Sequence, residues 1–515
     1  MTTSIRVRAR TAALAAVTLC FANLAAQNIG PAAGRRSVAS DFAAPGIDRG
    51  LRNDVARPPS RSREVVIRGG ANTAPYLRGS VIVKFRAGTT PGARQAMLAS
   101  VDGGATTGLP YADFDIVSLD PDADPEAVAR RLQAQPDVQY AQARYRVRPL
   151  FVPNDPLYSQ QWNYPALDME RAWDINPGAT STVTVAVLDS GLAYRSIVLR
   201  FETFATRIDG LLFPSLGTID VPFAAAPDLG GSDRFVSPRD FIWDDTTPVD
   251  MDGHGTHVAG TLGQSTNNSI GVAGMAFNVR LMPVKVIDGF WDAYFGSPFI
   301  GTDDVVARGV RYAVDSGAKV LNMSIGRTGP PAPVVQEAIA YAVSRGAFVA
   351  VAGGNEFDEG NPVERLAEFA PQINGMVAVG AVGRDRARAF YSNTGPYIEL
   401  AAPGGDASRG GAPAAILQQT YDLSFLDSFE DGPSALRAPR FDVFAYLRFQ
   451  GTSMAVPHVS GLAAMLIQQG ITSPAAIEAS MKRYATDLGA SGRDNEYGHG
   501  LINPRASLRG MGLVR

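Results

Sequence analysis

The chemistry in this chain starts from a hydroxyl, an imidazole and a carboxylate, each set at the end of a local element. Gly451-Thr452-Ser453-Met454-Ala455-Val456-Pro457-His458 reads as a tight turn running into a buried helix. Ser453 then falls in the first helical turn, where backbone N–H groups are unpaired and the dipole end is positive. Pro457 fits there, because an early helical position loses no hydrogen bond to a missing N–H. A hydroxyl so placed can become a nucleophile if a base takes its proton and a third group orients the base. Taken alone, Ser453 would read as a helix cap. Two other stretches change that. Val183-Thr184-Val185-Ala186-Val187-Leu188-Asp189-Ser190-Gly191 is a β-branched strand ending in a carboxylate and a turn. Asp252-Gly253-His254-Gly255-Thr256-His257-Val258-Ala259-Gly260-Thr261 sets a histidine at the start of a small-residue helix. The chain order is Asp189, His254, Ser453.

These stretches, in that order, resemble the subtilisin-like serine peptidases. A fourth agrees: Phe348-Val349-Ala350-Val351-Ala352-Gly353-Gly354-Asn355-Glu356, a strand ending in the asparagine that family uses as an oxyanion donor. The resemblance spans residues 149–515 and, more weakly, 76–148. It implies acyl transfer: Ser453 attacks, His254 shuttles the proton, Asp189 orients the imidazole. Asn355 and the Ser453 N–H hold the oxyanion, with a supporting hydroxyl from Thr452. It further implies that Ser324, Ile325 and Gly326 pair with extended substrate backbone, and that Ala352, Gly353 and Gly354 line the S1 pocket. The floor of that pocket falls within residues 357–372, and the sequence leaves the P1 preference open.

Thr266-Asn267-Asn268-Ser269-Ile270-Gly271-Val272 resembles the family's calcium loop, with oxygen ligands from Thr266, Asn268, Ile270 and Val272. The family's aspartate ligand after the catalytic Asp has no counterpart in this reading. Its position falls near Val198, so structural Ca2+ is the one cofactor expected and its ligand set is short of a carboxylate. A zinc pair from His254 and His257 lacks an intervening Glu and a third ligand. The resemblance implies that His257 and His458 are packing residues, and His499 reads as structural. A catalytically silent binding scaffold on the same fold, and a processing protease with few targets, remain the alternatives.

The elements that would position these groups alternate strand and helix. Strands fall at 183–188, 279–286, 319–323, 347–351, 376–382 and 398–401; helices fall at 256–262, 304–315, 334–344 and 453–469. Such alternation predicts an α/β fold, a largely parallel sheet with helices on both faces. Residues 201–234, 287–301 and 404–450 exceed a minimal domain of this kind and flank the site. Trp291 and Phe295 mark the middle one as a further cleft-side loop. Ahead of this, residues 76–148 read as a small α+β domain of order β-α-β-α-β with room for one more strand, a ferredoxin-like arrangement. It resembles the family's inhibitory propeptide, which implies removal by a cut near residues 145–153.

The remaining features concern export. Arg6, Arg8 and Arg10 precede an apolar segment up to Ala26 with small residues near its end, the pattern of a secretory signal peptide. Leu19 before Cys20, the only cysteine, argues against lipid attachment there. Residues 27–75, rich in Gly, Pro, Ala, Arg and Ser, read as a disordered spacer. A net charge of −3 over 515 residues points away from nucleic acid. Almost nothing follows Asn503, so neither an anchor nor a further module is expected there. The expected product is an exported monomer, secreted or periplasmic, acting on protein or peptide substrates and bound beforehand by its own propeptide.

Overall fold

A computed structural model describes residues 76–101, 103–145, 151–208, 210–429 and 431–512. They divide into two compact units, one within residues 27–149 and one from residue 150 onward. The expected signal peptide, Cys20, the spacer and residues 146–150 of the expected cut region lie outside the described residues.

The first unit runs β1 (Tyr76–Phe85), α1 (Pro91–Ala99), β2 (Thr106–Gly108), β3 (Asp115–Ser118), α2 (Pro125–Gln133) and β4 (Val138–Tyr145). Its sheet has order β2-β3-β1-β4 with every neighbour antiparallel, the ferredoxin-like arrangement. Period two along β1 sets the core: Val81 and Val83 are fully buried and Ile82 faces the other way. Val128 and Leu132 of α2 and Leu98 of α1 close over them. Both helices begin where side chains can cap them. Thr90 accepts from the Ala93 N–H and Asp124 from the Glu126 N–H, each ahead of a proline at the first turn. The extra strand is β2, three exposed residues with no apolar pattern to betray it.

The second unit is built on a seven-stranded, wholly parallel sheet. Its strands are β5 (Thr184–Asp189), β10 (Arg239–Asp240), β11 (Arg280–Lys285), β12 (Val320–Met323), β13 (Phe348–Ala352), β14 (Met376–Val382) and β15 (Leu400–Pro403). The order β10-β11-β5-β12-β13-β14-β15 puts β5 and β12 side by side at the centre. Alternate residues feed two cores. Val185 and Val187 pack with α3 (His254–Gly263) and α7 (Thr452–Gln468). Ala186 and Leu188 pack with α5 (Asp303–Asp315) and α6 (Pro333–Ser344). Burial on both faces is why these strands read as continuous apolar runs. Two further helices, α8 (Pro474–Tyr484) and α9 (Pro504–Gly512), follow α7.

The long segments beside the sheet form hairpins. β6 (Ile197–Glu202) pairs with β9 (Thr218–Phe223), β7 (Thr206–Ile208) with β8 (Leu211–Phe213), and β16 (Ile416–Tyr421) with β17 (Phe444–Phe449). Residues 287–301 hold a short helix, α4 (Phe290–Tyr294). Trp291 and Phe295, expected on a cleft-side loop, are instead buried at 2% and 3% exposure. They belong to an aromatic cluster that joins the three insertions. The Phe201 and Phe295 rings stack at 4.3 Å, Trp291 lies 4.2 Å from Phe429, and Phe223 stacks on Phe441 at 4.7 Å. No helix of the described residues is long and apolar enough to cross a membrane.

Candidate active site

Asp189 is the last residue of β5 and is fully buried. His254 is the first residue of α3, and the sequence forces that helix onto the strand end. A Cβ at Gly255 would sit 2.1 Å from the Gly191 carbonyl oxygen, so only glycine allows the approach. Asp250 then ties the two segments together. Its Oδ1 accepts from the Ser190 hydroxyl at 2.9 Å and from the Gly253 N–H at 2.9 Å. Its Oδ2 accepts from Thr256 N at 2.9 Å and Thr256 Oγ1 at 2.6 Å, satisfying a first-turn donor of α3. The outcome is a 2.7 Å contact between His254 Nδ1 and Asp189 Oδ1.

The imidazole is 18% exposed and sits among three carboxylates. Burial alone would lower its pKa. The charge and hydrogen bond of Asp189, with the charges of Asp252 and Asp250, outweigh that and push it up to about 9. Asp252, whose Oδ1 accepts from the His254 N–H at 3.1 Å, is itself pushed up to about 6, by burial first and then by Asp250.

Ser453 is the second residue of α7. Its hydroxyl donates to the Ser324 carbonyl at 3.1 Å, and the Ser324 hydroxyl donates to the Ser453 carbonyl at 2.8 Å. Ser324 is steadied by the Asn322 amide at 3.0 Å, and Asn322 Oδ1 accepts from Ser460 of the same helix at 2.9 Å. The start of α7 is thereby locked to β12, the strand beside β5. No hydrogen bond joins Ser453 to His254 among the described contacts.

Asn355 follows β13. Its amide oxygen accepts from Thr452 N at 2.8 Å and Thr452 Oγ1 at 2.9 Å. Two donors on the oxygen leave the Nδ2 group free to donate elsewhere. Thr452 Oγ1 also accepts from the Gly354 N–H at 3.3 Å. Strand pairing of β12 ends at Met323, so Ser324, Ile325 and Gly326 run on beyond the sheet register. Ala352 is the last residue of β13, and Gly353 and Gly354 follow it.

The other histidines are framework. His257 is fully buried, donates through Nε2 to the Ile416 carbonyl at 3.1 Å and stacks on Phe449. Burial pushes it down to about 3. His458, pushed down to about 4 by burial, lies 2.9 Å from the Met454 carbonyl through Nδ1. Both are neutral at pH 7, and no His/Cys/Asp/Glu group of three that could hold a metal ion occurs among the described residues.

The 266–272 loop holds a surprise. Val198, where the missing carboxylate was expected, is 63% exposed on a hairpin strand. A carboxylate does reach the loop, from Asp228. The β6–β9 insertion precedes it and so displaces it along the chain. Asp228 is fully buried, and its oxygens accept from Asn268 Nδ2 at 2.7 Å and Val272 N at 3.1 Å. A second carboxylate, Asp155, accepts from Asn267 N at 2.7 Å and Asn268 N at 3.3 Å. Burial, with a contribution from Asp155, pushes Asp228 up to about 6. Sequence reasoning missed both. The Asn154-Asp155 turn was the available signal for one; nothing local marks the other.

The subtilase family model matches residues 180–500, and a fervidolysin N-terminal prodomain model matches residues 62–143. A thermophilic serine proteinase of Bacillus sp. strain AK1 is 31% identical over 374 residues, covering 72% of this chain and 74% of the relative. An extracellular protease of Xanthomonas campestris is 30% identical over 403 residues, covering 75% of this chain and 62% of the relative. Among solved structures, a protease from Pseudoalteromonas arctica is similar with a TM-score of 0.52 and 28% identity, covering 70% of this chain and all of that one.

Proposed function

This chain belongs to the subtilase family of serine proteases and carries a prodomain ahead of its peptidase unit, and on that premise we propose that it hydrolyses peptide bonds through Asp189, His254 and Ser453. The observation that carries the reading is the 2.7 Å contact between His254 and Asp189 beside a helix start locked to the neighbouring strand. Nδ1 donates to Asp189, which leaves Nε2 as the base. Ser453, released from the Ser324 carbonyl by rotation about its Cα–Cβ bond, gives its proton to Nε2 and attacks the substrate carbonyl. The oxyanion that forms takes hydrogen bonds from Asn355 Nδ2 and the Ser453 N–H. The imidazolium, stabilised by Asp189, then protonates the leaving amine. Water repeats the sequence on the acyl-enzyme. Substrate backbone adds beside Ser324–Gly326, with the P1 side chain between that segment and Ala352–Gly354.

Domain limits follow the same reading: a signal peptide over 1–26, a spacer over 27–75, a propeptide over 76–148 and the peptidase over 149–515. The product is exported, in keeping with the extracellular protease among its relatives. Its propeptide is removed by the enzyme's own cut. Calcium fits the 266–272 loop. Two buried carboxylates, Asp155 and Asp228, meet Asn268 there, and with the carbonyls of Thr266, Ile270 and Val272 they make a set of hard oxygen donors. A cation there would neutralise the Asp228–Asp155 repulsion and pin the loop that follows α3. It takes no part in the acyl transfer.

The test is expression of wild type beside Ser453→Ala in a host lacking other proteases. Wild type should lose residues up to about 150, while the variant keeps them. Equal processing of both would assign the cut to another enzyme. A fluorophosphonate probe should label wild type and leave the variant unlabelled.

A further inference from the structure

Beside Gly326, in one of the two segments expected to flank substrate, lies a carboxylate that the catalytic reading does not use. Glu364 is 2% exposed. Its Oε1 takes two backbone donors, Arg327 N at 2.7 Å and Leu366 N at 3.1 Å. Its Oε2 accepts no hydrogen bond among the described contacts and lies against Gly326. A Cβ on that glycine would sit 2.4 Å from Oε2. Tyr397 closes the other side. Its hydroxyl donates to the Gly353 carbonyl at 3.2 Å and accepts from Glu364 N at 3.4 Å. The carboxylate thus lies against Gly326, while the Glu364 backbone N–H, through Tyr397, ties this segment to Gly353.

No described Lys, Arg or His forms an ion pair with Glu364, although the charge of the neighbouring Arg327 acts to lower its pKa. Arg327 is adjacent, but its guanidinium is spent on Asp303 at 2.7 Å and on the carbonyls of Thr328 and Pro330. The next acid, Glu356, adds negative charge. Its Oε2 accepts from Asn355 N at 2.8 Å and Asn393 Nδ2 at 3.2 Å. A buried carboxylate without a paired cation is costly, so such a group holds its proton until a cation arrives.

We propose that Glu364 is the floor of the S1 pocket and that this protease prefers lysine or arginine at P1, the substrate cation completing an ion pair with Glu364 Oε2. This rests on the peptidase reading above and adds the substrate class to it. Burial, opposed by the Arg327 and Leu366 N–H groups and reinforced by Glu356, pushes the Glu364 carboxyl up to about 8. An arriving ammonium or guanidinium favours the ionised carboxylate, and the proton leaves to solvent. A side chain at 326 would collide with the carboxylate, which only glycine avoids.

The experiment uses matured enzyme and chromogenic peptide amides identical except for Lys, Arg, Leu, Phe or Glu at P1. Wild type should favour Lys and Arg over Leu in kcat/KM by roughly 10- to 100-fold, the range of a charge-assisted contact in a dry pocket. Glu364→Gln, which retains an oxygen for the two backbone donors, should lose that ratio, read as the Lys/Leu quotient of kcat/KM within each enzyme. A readout without a variant is inhibition of wild type by benzamidine, expected to exceed that by uncharged benzamide. Preference for Leu or Phe, or a ratio unchanged in Glu364→Gln, overturns the proposal and leaves the peptidase reading intact. If wild type cleaves no peptide and Ser453 does not react with a fluorophosphonate, the peptidase reading falls and takes the proposal with it.

Discussion

Thr452 grips Asn355 by the amide oxygen, through its N–H at 2.8 Å and its hydroxyl at 2.9 Å. That grip decides which end of the amide faces the substrate, because an oxygen holding two donors cannot turn toward an oxyanion. Asn355→Ala should lower kcat by about 10²–10³-fold, the size typical of removing one oxyanion donor. Thr452→Val keeps the N–H contact and removes the hydroxyl, so its loss should be smaller, roughly 10-fold, and again in kcat rather than KM. Steady-state kinetics on one peptide amide separates the two. A KM effect with kcat unchanged in Asn355→Ala would place that amide in ground-state binding.

The carboxylates around His254 set the pH dependence. The base must be neutral to accept the Ser453 proton, and Asp189, Asp252 and Asp250 outweigh burial to hold its pKa up at about 9. Activity is therefore lost as pH falls through that value. The acid limb of kcat/KM should lie well above the ordinary histidine value of about 6.5. Asp252 is ionised at the pH of that limb, since its own pKa is pushed up only to about 6. Asp252→Asn removes one charge that favours the imidazolium, so the limb should move to lower pH. A limb at 6.5 or below in wild type, or one that Asp252→Asn does not move, contradicts this account.

The strand-ending Asp189, the helix-starting His254 and Ser453, and the parallel sheet beneath them were legible because each lies inside an apolar run with its own period and punctuation. Asp228 was not legible. Its neighbours are loop residues, and the hairpins inserted after β5 break the spacing from Asp189. Glu364 is unmarked for a related reason, since burial of a glutamate in a loop follows from tertiary packing alone. Trp291 and Phe295 looked like cleft residues because insertions near a site usually line it. Their rings turn instead toward Phe201 and Phe429, which are remote in sequence. What sequence reading lacks in each case is a partner far along the chain.

The calcium loop carries its own test. Asp228 and Asp155 are buried and close enough for Asp155 to raise the Asp228 pKa. A cation between them would relieve that repulsion, so chelator should lower Tm and added Ca2+ should restore it, by RT ln(1 + [L]/Kd). Asp228→Asn in the Ser453→Ala background should melt at one temperature with or without Ca2+. The sign with pH follows from the raised carboxyl. Without the ion, Asp228 favours its neutral form, so the Asp228 contribution to stability is greatest at low pH and is lost as pH rises toward 6. Differential scanning calorimetry across pH 5–8, with and without chelator, checks both. Identical melting throughout would remove the site.

A fully buried ion pair, Lys285 with Asp292 at 2.9 Å, stands one strand from Asp189, since Lys285 is its register partner across β11 and β5. Asp292 also accepts from Trp243 Nε1 at 2.7 Å and Gly289 N at 2.9 Å, so it anchors α4 and the insertion cluster to the sheet. Burial acts to lower the Lys285 pKa, and Asp292 with Asp240 outweighs it and raises it, which keeps the ammonium charged. Asp292→Asn strands that charge and should cost about 3–5 kcal/mol in urea unfolding of the Ser453→Ala protein, where autolysis cannot interfere. Lys285→Met/Asp292→Asn removes the charge and its partner together while an amide oxygen remains for Trp243 or Gly289. It should therefore be more stable than the sum of the single losses predicts, with a coupling energy of at least about 1 kcal/mol. Simple additivity would mean that another group, Asp240 foremost, already neutralises Lys285 and that the Asp292 contact contributes little.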